Sequence, residues 1–500
     1  MLAAILLQLP VIAAILTLAI FVYYKHAFTY WSKKGVPFIA PSIPKGNSTH
    51  LLPKKMSYGI ESKEWYDELK GKGHKFGGIW DFSKKALILV DPQLIKDVLT
   101  KDFNHFSDRD VYCNEKYDPI NSNLFLVPTH SWRPLRQRLT PTFTTGKIKT
   151  MRPLIVKTAR HMIDYLKTKD SEDIDIKEVL QCYTIDVIAN CAFGLDLNSF
   201  ADPDSEFRKW SKKIFEPTFA RVLKFIMIRH FPEECKRMGV CVAQKGVPDF
   251  FADVVRNVWD YRKENGFSRS DFMQMLIELH EGSRDDERPF TFEQMVANTL
   301  MFFVAGFDTS ATTLTFVLYE LAKHPDVQEK AREEVRDFLS KHDSELTYEA
   351  IHDMTYLSQV ISEAHRLYPP VPTLSRVCIN DYKISGSDVT IEKGTPIVVS
   401  VLGLGADPEY FPEPNKFDPE RFSPSGSTKN NTSVHMPFGL GPRNCIGLRF
   451  GIMEVKLGLA MILDKFEVCT GPLTKIPVTL DPNTMLLSSV ERVYIRLKTI

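Results

Sequence analysis

The chain has 500 residues, 44% hydrophobic and 25% charged, with a formal net charge of +1. That composition is ordinary for a packed globular body and excludes extended disorder, and the charge balance gives no overall attraction to nucleic acid. The length accommodates one large domain or about three ordinary ones.

Residues 1–24 carry no charged side chain. A helix of that length rises about 36 Å at ~1.5 Å per residue, enough to cross a bilayer. A cleaved signal peptide is shorter and starts with basic residues, so the segment is expected to be a retained anchor. Lys25, Lys33 and Lys34 flank its C-terminal end, which predicts a body facing the cytosol. Residues 25–41 close on GVPFIAP and form a basic, proline-set linker. Residues 42–500 show no repeat and no second linker, and are expected to form one catalytic domain. Strand patterns fall at 76–80 and 86–90, around a Ser83-Lys84-Lys85 turn, and at 395–402 and 493–497. Helical patterns dominate elsewhere, at 175–193, Phe292–Lys323, Pro325–Lys341, 348–367 and 447–463. The predicted class is mainly α with a small β-rich part, preceded by one N-terminal transmembrane helix. Eight cysteines without a CxxC pair suit reduced thiols in the cytosol. There the N-x-S/T matches at Asn47, Asn430 and Asn431 would carry no glycan.

Several short stretches carry chemistry. Trp132 and Arg136 lie four apart on one helical face. Around them, 119–163 has no Asp or Glu but eight positive charges: Arg133, Arg136, Arg138, Lys147, Lys149, Arg152, Lys157 and Arg160. Such a run is often only a solvated face; no nucleic-acid reader motif accompanies it. At 302–313 an apolar helix is interrupted by Gly306 and then the acid-hydroxyl pair Asp308-Thr309. Glycine inside a helix costs about 1 kcal/mol relative to alanine, so Gly306 serves either close helix packing or a groove. Glu363 and Arg366 stand at i, i+3, by themselves an exposed ion pair worth about a few tenths of a kcal/mol.

Residues 438–447, FGLGPRNCIG, place Cys445 in a glycine-punctuated loop just before an apolar-periodic helix. A lone cysteine is usually an inert small hydrophobe. Here, however, a helix N-terminus favours thiolate, and Arg443 is placed to meet an acidic group of a ligand. With no second Cys or His nearby, such a thiolate suits a cofactor that brings its own other metal ligands, as haem does. The pattern Phe438-x-x-Gly441-x-Arg443-x-Cys445-x-Gly447 resembles the haem-binding loop of the cytochrome P-450 superfamily. Anchor included, the chain is most like the microsomal class and its arthropod xenobiotic-metabolising group.

That resemblance implies haem (iron protoporphyrin IX) with Cys445 as the iron ligand. It implies O2 as co-substrate and electrons from NADPH through a separate reductase, with cytochrome b5 as a further possible donor. Trp132, Arg136, Arg376 and Arg109 would join Arg443 around the haem propionates, while Phe438, Gly441 and Gly447 shape the loop. Ala305 and Gly306 would leave a groove for dioxygen, and Thr309 and Asp308 would organise proton delivery as catalytic residues. Glu363, Arg366 and Arg421 would form a buried charge network under the loop. Phe302, Ala305, Pro370, Leu374 and Met485 would contact a lipophilic substrate. The basic stretch would dock an acidic electron donor. Phe207, Phe215, Phe219, Phe225, Phe231, Phe250 and Phe251 would roof the site, although core packing explains aromatics equally well, and 223–228 would touch the lipid membrane. The implied activity is insertion of one oxygen atom into xenobiotic or endogenous lipophilic compounds, at the endoplasmic reticulum membrane. Two other activities share parts of the pattern: a haem-thiolate isomerase or dehydratase without external electrons, and a non-catalytic carrier of apolar ligands.

Overall fold

The computed structural model describes residues 2–48, 56–216, 218–343, 345–426, 433–482 and 484–500. Asn430 and Asn431, and the side chains of Phe215 and Phe219, lie outside the described residues. The helices that place the site are, in chain order, α1 (Leu2–Ala27), α2 (Thr129–Leu139), α3 (Ile176–Ile188), α4 (Phe292–Lys323), α5 (Pro325–Lys341), α6 (Thr355–Leu367) and α7 (Leu448–Lys465). Local signals set their ends. A capping box starts α4: the Thr291 hydroxyl accepts the Gln294 N–H, and the Gln294 side chain accepts that of Thr291. Proline at the first position starts α5. Among the described residues, two helical stretches, Pro10–Lys33 and Phe292–Lys323, are long and apolar enough to cross a membrane. Two-thirds of the apolar window in α4 is buried by protein, whereas none of the window in Pro10–Lys33 is, so α4 is a core helix.

The strands are β1 (Phe76–Asp81), β2 (Lys84–Leu89), β3 (Asp173–Asp175), β4 (Thr373–Val377), β5 (Tyr382–Lys383), β6 (Thr390–Ile391), β7 (Pro396–Ser400), β8 (Phe466–Cys469) and β9 (Tyr494–Thr499). One sheet has the order β1-β2-β7-β4, with β2 and β7 parallel and the other pairs antiparallel; a second has the order β3-β9-β8. The apolar core divides accordingly. One cluster fills the helical body, and another lies between the first sheet and the N-terminal segment. Residues 25–41 pack onto β1: Trp31 is buried and donates from Nε1 to the Ile79 carbonyl at 3.3 Å. Gly78 bonds to the Pro37 carbonyl and the Ile39 N–H at 2.8 and 3.1 Å, and any side chain on Gly78 would collide with the Trp31 indole.

Several expected elements end differently: Lys84 and Lys85, expected in a turn, pair within β2, and Val401 and Leu402, expected in a strand, begin a short helix. The helix expected over 348–367 is broken at Met354, which is extended (ψ 90°). Partners distant in sequence hold the break: the Glu334 carboxylate accepts the N–H groups of Tyr356 and Leu357 at 2.8 Å each, and Lys456 donates to the carbonyls of Ile351, His352 and Met354. The helix expected over 175–193 widens into a π-turn at Ala189–Phe193 and stops at Gly194, whose φ is +77°.

Candidate functional site

The 438–447 loop is shaped by its own backbone. The Cys445 N–H donates to the Phe438 carbonyl at 2.9 Å. Gly441 has φ +76°, and a Cβ there would strike the Leu99 carbonyl, so both conformation and space require glycine. Cys445 has an exposed side chain although protein crowds closely around it. Its thiol pKa is nevertheless raised: burial outweighs a backbone hydrogen bond at Gly447 and the charges of Arg136 and Arg109. The amide hydrogen bond at Gly447, just ahead of α7, pulls toward thiolate as expected, but desolvation outweighs it. A metal cation at the sulfur would reverse the balance, since coordination deprotonates a thiol outright.

Four guanidinium groups converge near the loop, and the charges of two of them, Arg136 and Arg109, act on the sulfur. Arg136 donates to the Asn444 carbonyl and side chain at 3.1 and 3.0 Å. Arg109 donates to the carbonyls of Phe125 and Arg443, both at 3.0 Å. Arg443 donates to the carbonyls of Ser107 and Val127 and lies 4.3 Å over the ring of buried Trp132. Arg376 reaches only the neighbouring Ser375 carbonyl. Burial depresses all four, Arg443 to about 9 and Arg376 to about 10, and Arg109 also feels repulsion from the other three. Asp108, 3.7 Å from Arg443, partly offsets the burial of that one guanidinium. Arg376 Nε and Arg443 Nη1 are buried with no hydrogen-bond partner among the described residues. Uncompensated cations with unused N–H groups call for an anionic ligand, and the thiol calls for a cation. Haem supplies both, through its propionates and its iron, so the residues present fit the group.

On α4, Ala305 is exposed although it sits in the middle of a core helix, and Thr309 donates its hydroxyl proton to the Ala305 carbonyl at 2.5 Å. Asp308 is held from the side, accepting from Gln181 of α3 at 3.0 Å. Gly306 faces that same helix: a Cβ would stand 2.7 Å from Ile188 Cδ1, so close packing accounts for the glycine. Phe302, expected to face a substrate, turns into an aromatic cluster with Phe143 and Phe272, ring centroids 5.0 and 5.8 Å away. Pro370 is buried and Leu374 half-buried. Met485 is 78% exposed; in its segment it is buried Leu487 that bonds to Pro370, N–H to carbonyl, at 3.0 Å.

Glu363, Arg366 and Arg421 come together in the core. Arg366 grips Glu363 with two hydrogen bonds of 2.7 Å and also donates to the carbonyls of Gly405, Pro414 and Lys416. Arg421 stands 3.4 Å from Glu363, which also accepts the Asp418 N–H. The network thus clamps 405–418 and not the cysteine loop. Its neighbour His365 is the residue that touches the loop, through Phe438.

Sequence reasoning missed Glu454, which occurs as one acid in the apolar periodicity of α7. It is fully buried, accepts from Ser310 on α4 at 2.8 Å, and has its other oxygen unpartnered. Burial raises its pKa to about 8. A folded-state value above the unfolded one favours the protonated fold, an advantage complete below pH about 4.5 and lost progressively up to about pH 8. Glu454→Gln should therefore match the parent near pH 4 and exceed it by about 3 kcal/mol at pH 7, at ~1.36 kcal/mol per unit. Denaturant titrations at the two pH values read the difference.

The basic stretch is partly neutralised by acids from elsewhere in the chain. Arg138 pairs with Asp286 at 2.9 Å, Arg152 with Glu345 at 3.8 Å, Lys149 with Glu349 and Lys157 with Asp196. Arg136 turns inward, leaving Arg133, Lys147 and Arg160 without an ion pair among the described residues. Of the aromatic segment, Phe207 and Phe251 are buried in the core, whereas Leu223, Phe225, Met227 and Phe231 are exposed.

Comparison with known proteins agrees with this architecture. The family model for cytochrome P450 matches residues 50–496. The chain is 38% identical over 499 residues to "Probable cytochrome P450 6a23" of Drosophila melanogaster, spanning 98% of this chain and 99% of that one. It is 39% identical over 498 residues to "Cytochrome P450 6k1" of Blattella germanica, spanning 96% and 94%. A cysteine loop beside a cluster of buried guanidiniums, a mainly helical body and nearly full-length likeness lead to one conclusion: the chain belongs to the cytochrome P450 family.

Proposed function

We propose that this monooxygenase acts on lipophilic small molecules at the endoplasmic reticulum membrane, with its body in the cytosol and Cys445 as the sulfur ligand of its haem iron. As a family member it takes haem, O2 and electrons from NAD(P)H through a reductase. Bound haem supplies the redox chemistry of dioxygen activation. The protein residues hold and orient. Arg109, Arg136, Arg376 and Arg443 would bind the propionates, Arg376 and Arg443 with the N–H groups they now leave unused. Thr309 can exchange a hydroxyl proton with a ligand above exposed Ala305, with Asp308 steadied by Gln181. Ala305, Leu374 and Pro370 would border the substrate. The reading is carried by one observation, the exposed thiol in a loop near four guanidiniums with too few anions.

Membrane contact would come from α1 and from the exposed apolar residues of the Phe219–His230 helix. Arg133, Lys147 and Arg160 offer the unpaired charge that would steer an acidic reductase, with cytochrome b5 as a second donor. The full chain should purify with haem, give a thiolate-type reduced carbon monoxide spectrum, and oxygenate lipophilic compounds only when reductase and NADPH are both present. A colourless preparation, or conversion without NADPH, would overturn the assignment. Turnover should also fall as salt rises if charge steers the donor.

A further inference from the structure

His365 joins two elements that the haem site needs on opposite sides. It lies on α6, is buried, and has Nε2 3.0 Å from the Thr313 hydroxyl oxygen of α4. That hydroxyl has one proton and donates it to the Thr309 carbonyl at 2.9 Å. Its lone pair therefore receives Nε2–H of His365, which fixes the imidazole tautomer. On its other side the His365 ring meets Phe438 edge to face, centroids 5.4 Å apart at 87°. Phe438 in turn holds the Cys445 N–H through its carbonyl. A continuous set of contacts thus runs from the turn carrying Thr309, through Thr313 and His365, to the loop carrying Cys445. Burial keeps the imidazole neutral at physiological pH, its pKa lowered to about 4, so the donor persists across the working range.

We propose that His365 is a positioning residue that ties the Thr309 turn of α4 to the Cys445 loop, so that both faces of the haem site keep one separation. The inference rests on the haem assignment above. Groups that orient a metal ligand from the second layer tune the metal as well as hold it, and hydrogen bonding and packing around haem set its potential. The expected consequence is electronic, beyond any effect on stability.

The test uses the full-length haem-loaded chain with His365→Leu, Thr313→Val, the double variant and His365→Gln, whose amide N–H can replace Nε2–H. Two quantities are read: the midpoint potential of the iron, and the share of NADPH electrons recovered in oxygenated product against hydrogen peroxide. His365→Leu and Thr313→Val should shift the potential in one direction and lower the product share. The double variant should do no more than the larger single one, because both break the same link, and His365→Gln should restore both readouts. A parental potential in His365→Leu, or fully additive shifts, would overturn the proposal. If His365→Leu fails to take up haem, Thr313→Val decides alone: a shifted potential supports the link and a parental one refutes it. Failure of the haem assignment itself would be visible in the parent before any variant is made.

Discussion

Replacing Cys445 with alanine is expected to yield a folded chain with no thiolate-ligated haem and with NADPH-dependent turnover reduced to background. The loop does not need the sulfur to keep its path. The Cys445 N–H to Phe438 carbonyl bond survives, and Gly441 still fits against Leu99. What alanine removes is the sulfur that would hold the haem iron in the proposed assignment and supply it with electron density. Far-ultraviolet circular dichroism should match the parent, while the reduced carbon monoxide spectrum loses its thiolate band. Arg443→Leu offers a graded contrast: it would remove one of the proposed propionate partners and leave the sulfur, and should weaken haem retention without abolishing the band. A Cys445→Ala protein that keeps both the band and the parental rate would end the assignment.

Arg366→Met should destabilise the fold by about 3 to 5 kcal/mol, the range for stranding one member of a buried ion pair. Both partners are fully buried, and the two 2.7 Å hydrogen bonds leave Glu363 no route to water. Burial already raises the Glu363 pKa against the pull of Arg366 and Arg421, so losing the Arg366 guanidinium leaves a carboxyl with only Arg421, 3.4 Å away, to offset its burial and pushes it toward taking up a proton. Three backbone carbonyls, of Gly405, Pro414 and Lys416, lose their donor together. A lowered denaturation midpoint at unchanged slope reads the effect. The Glu363→Leu/Arg366→Met double variant should recover part of the loss, since apolar groups of similar volume replace a buried pair at little cost. A loss below about 1 kcal/mol would show that the clamp contributes no more than an exposed pair.

The legible parts of this chain were those written by local chemistry. Helical periodicity located Phe292–Lys323 and Pro325–Lys341, and a capping box and a first-position proline set their starts. Alternation and turn residues located β1 and β2. The break at Met354 was illegible because Glu334 and Lys456, its cause, are distant in sequence. β5 and β6 have two residues each, too short for any period to show. At the site, the cysteine loop announced itself because positive-φ glycines and a helix start are local signals. Which way a side chain points was not legible: Gly306 serves Ile188, Phe302 joins an aromatic cluster, and Met485 faces outward while Leu487 docks. Glu454 and His365 went unnoticed since neither departs from what a surface polar residue on an amphipathic helix looks like in one dimension.

The N-terminal segment against β1 bears on how the protein can be handled in water. Trp31 and Val36 are buried against the sheet, and Phe38 meets Trp80 edge to face at 5.5 Å. Cutting the chain at residue 42 to shed the greasy helix would also strip this cover and uncover Gly78 and Trp80, leaving a sticky strip that favours precipitation. A cut just ahead of Phe28 discards the lipid-soluble portion and keeps the indole in its slot, so it should give the better-behaved soluble enzyme.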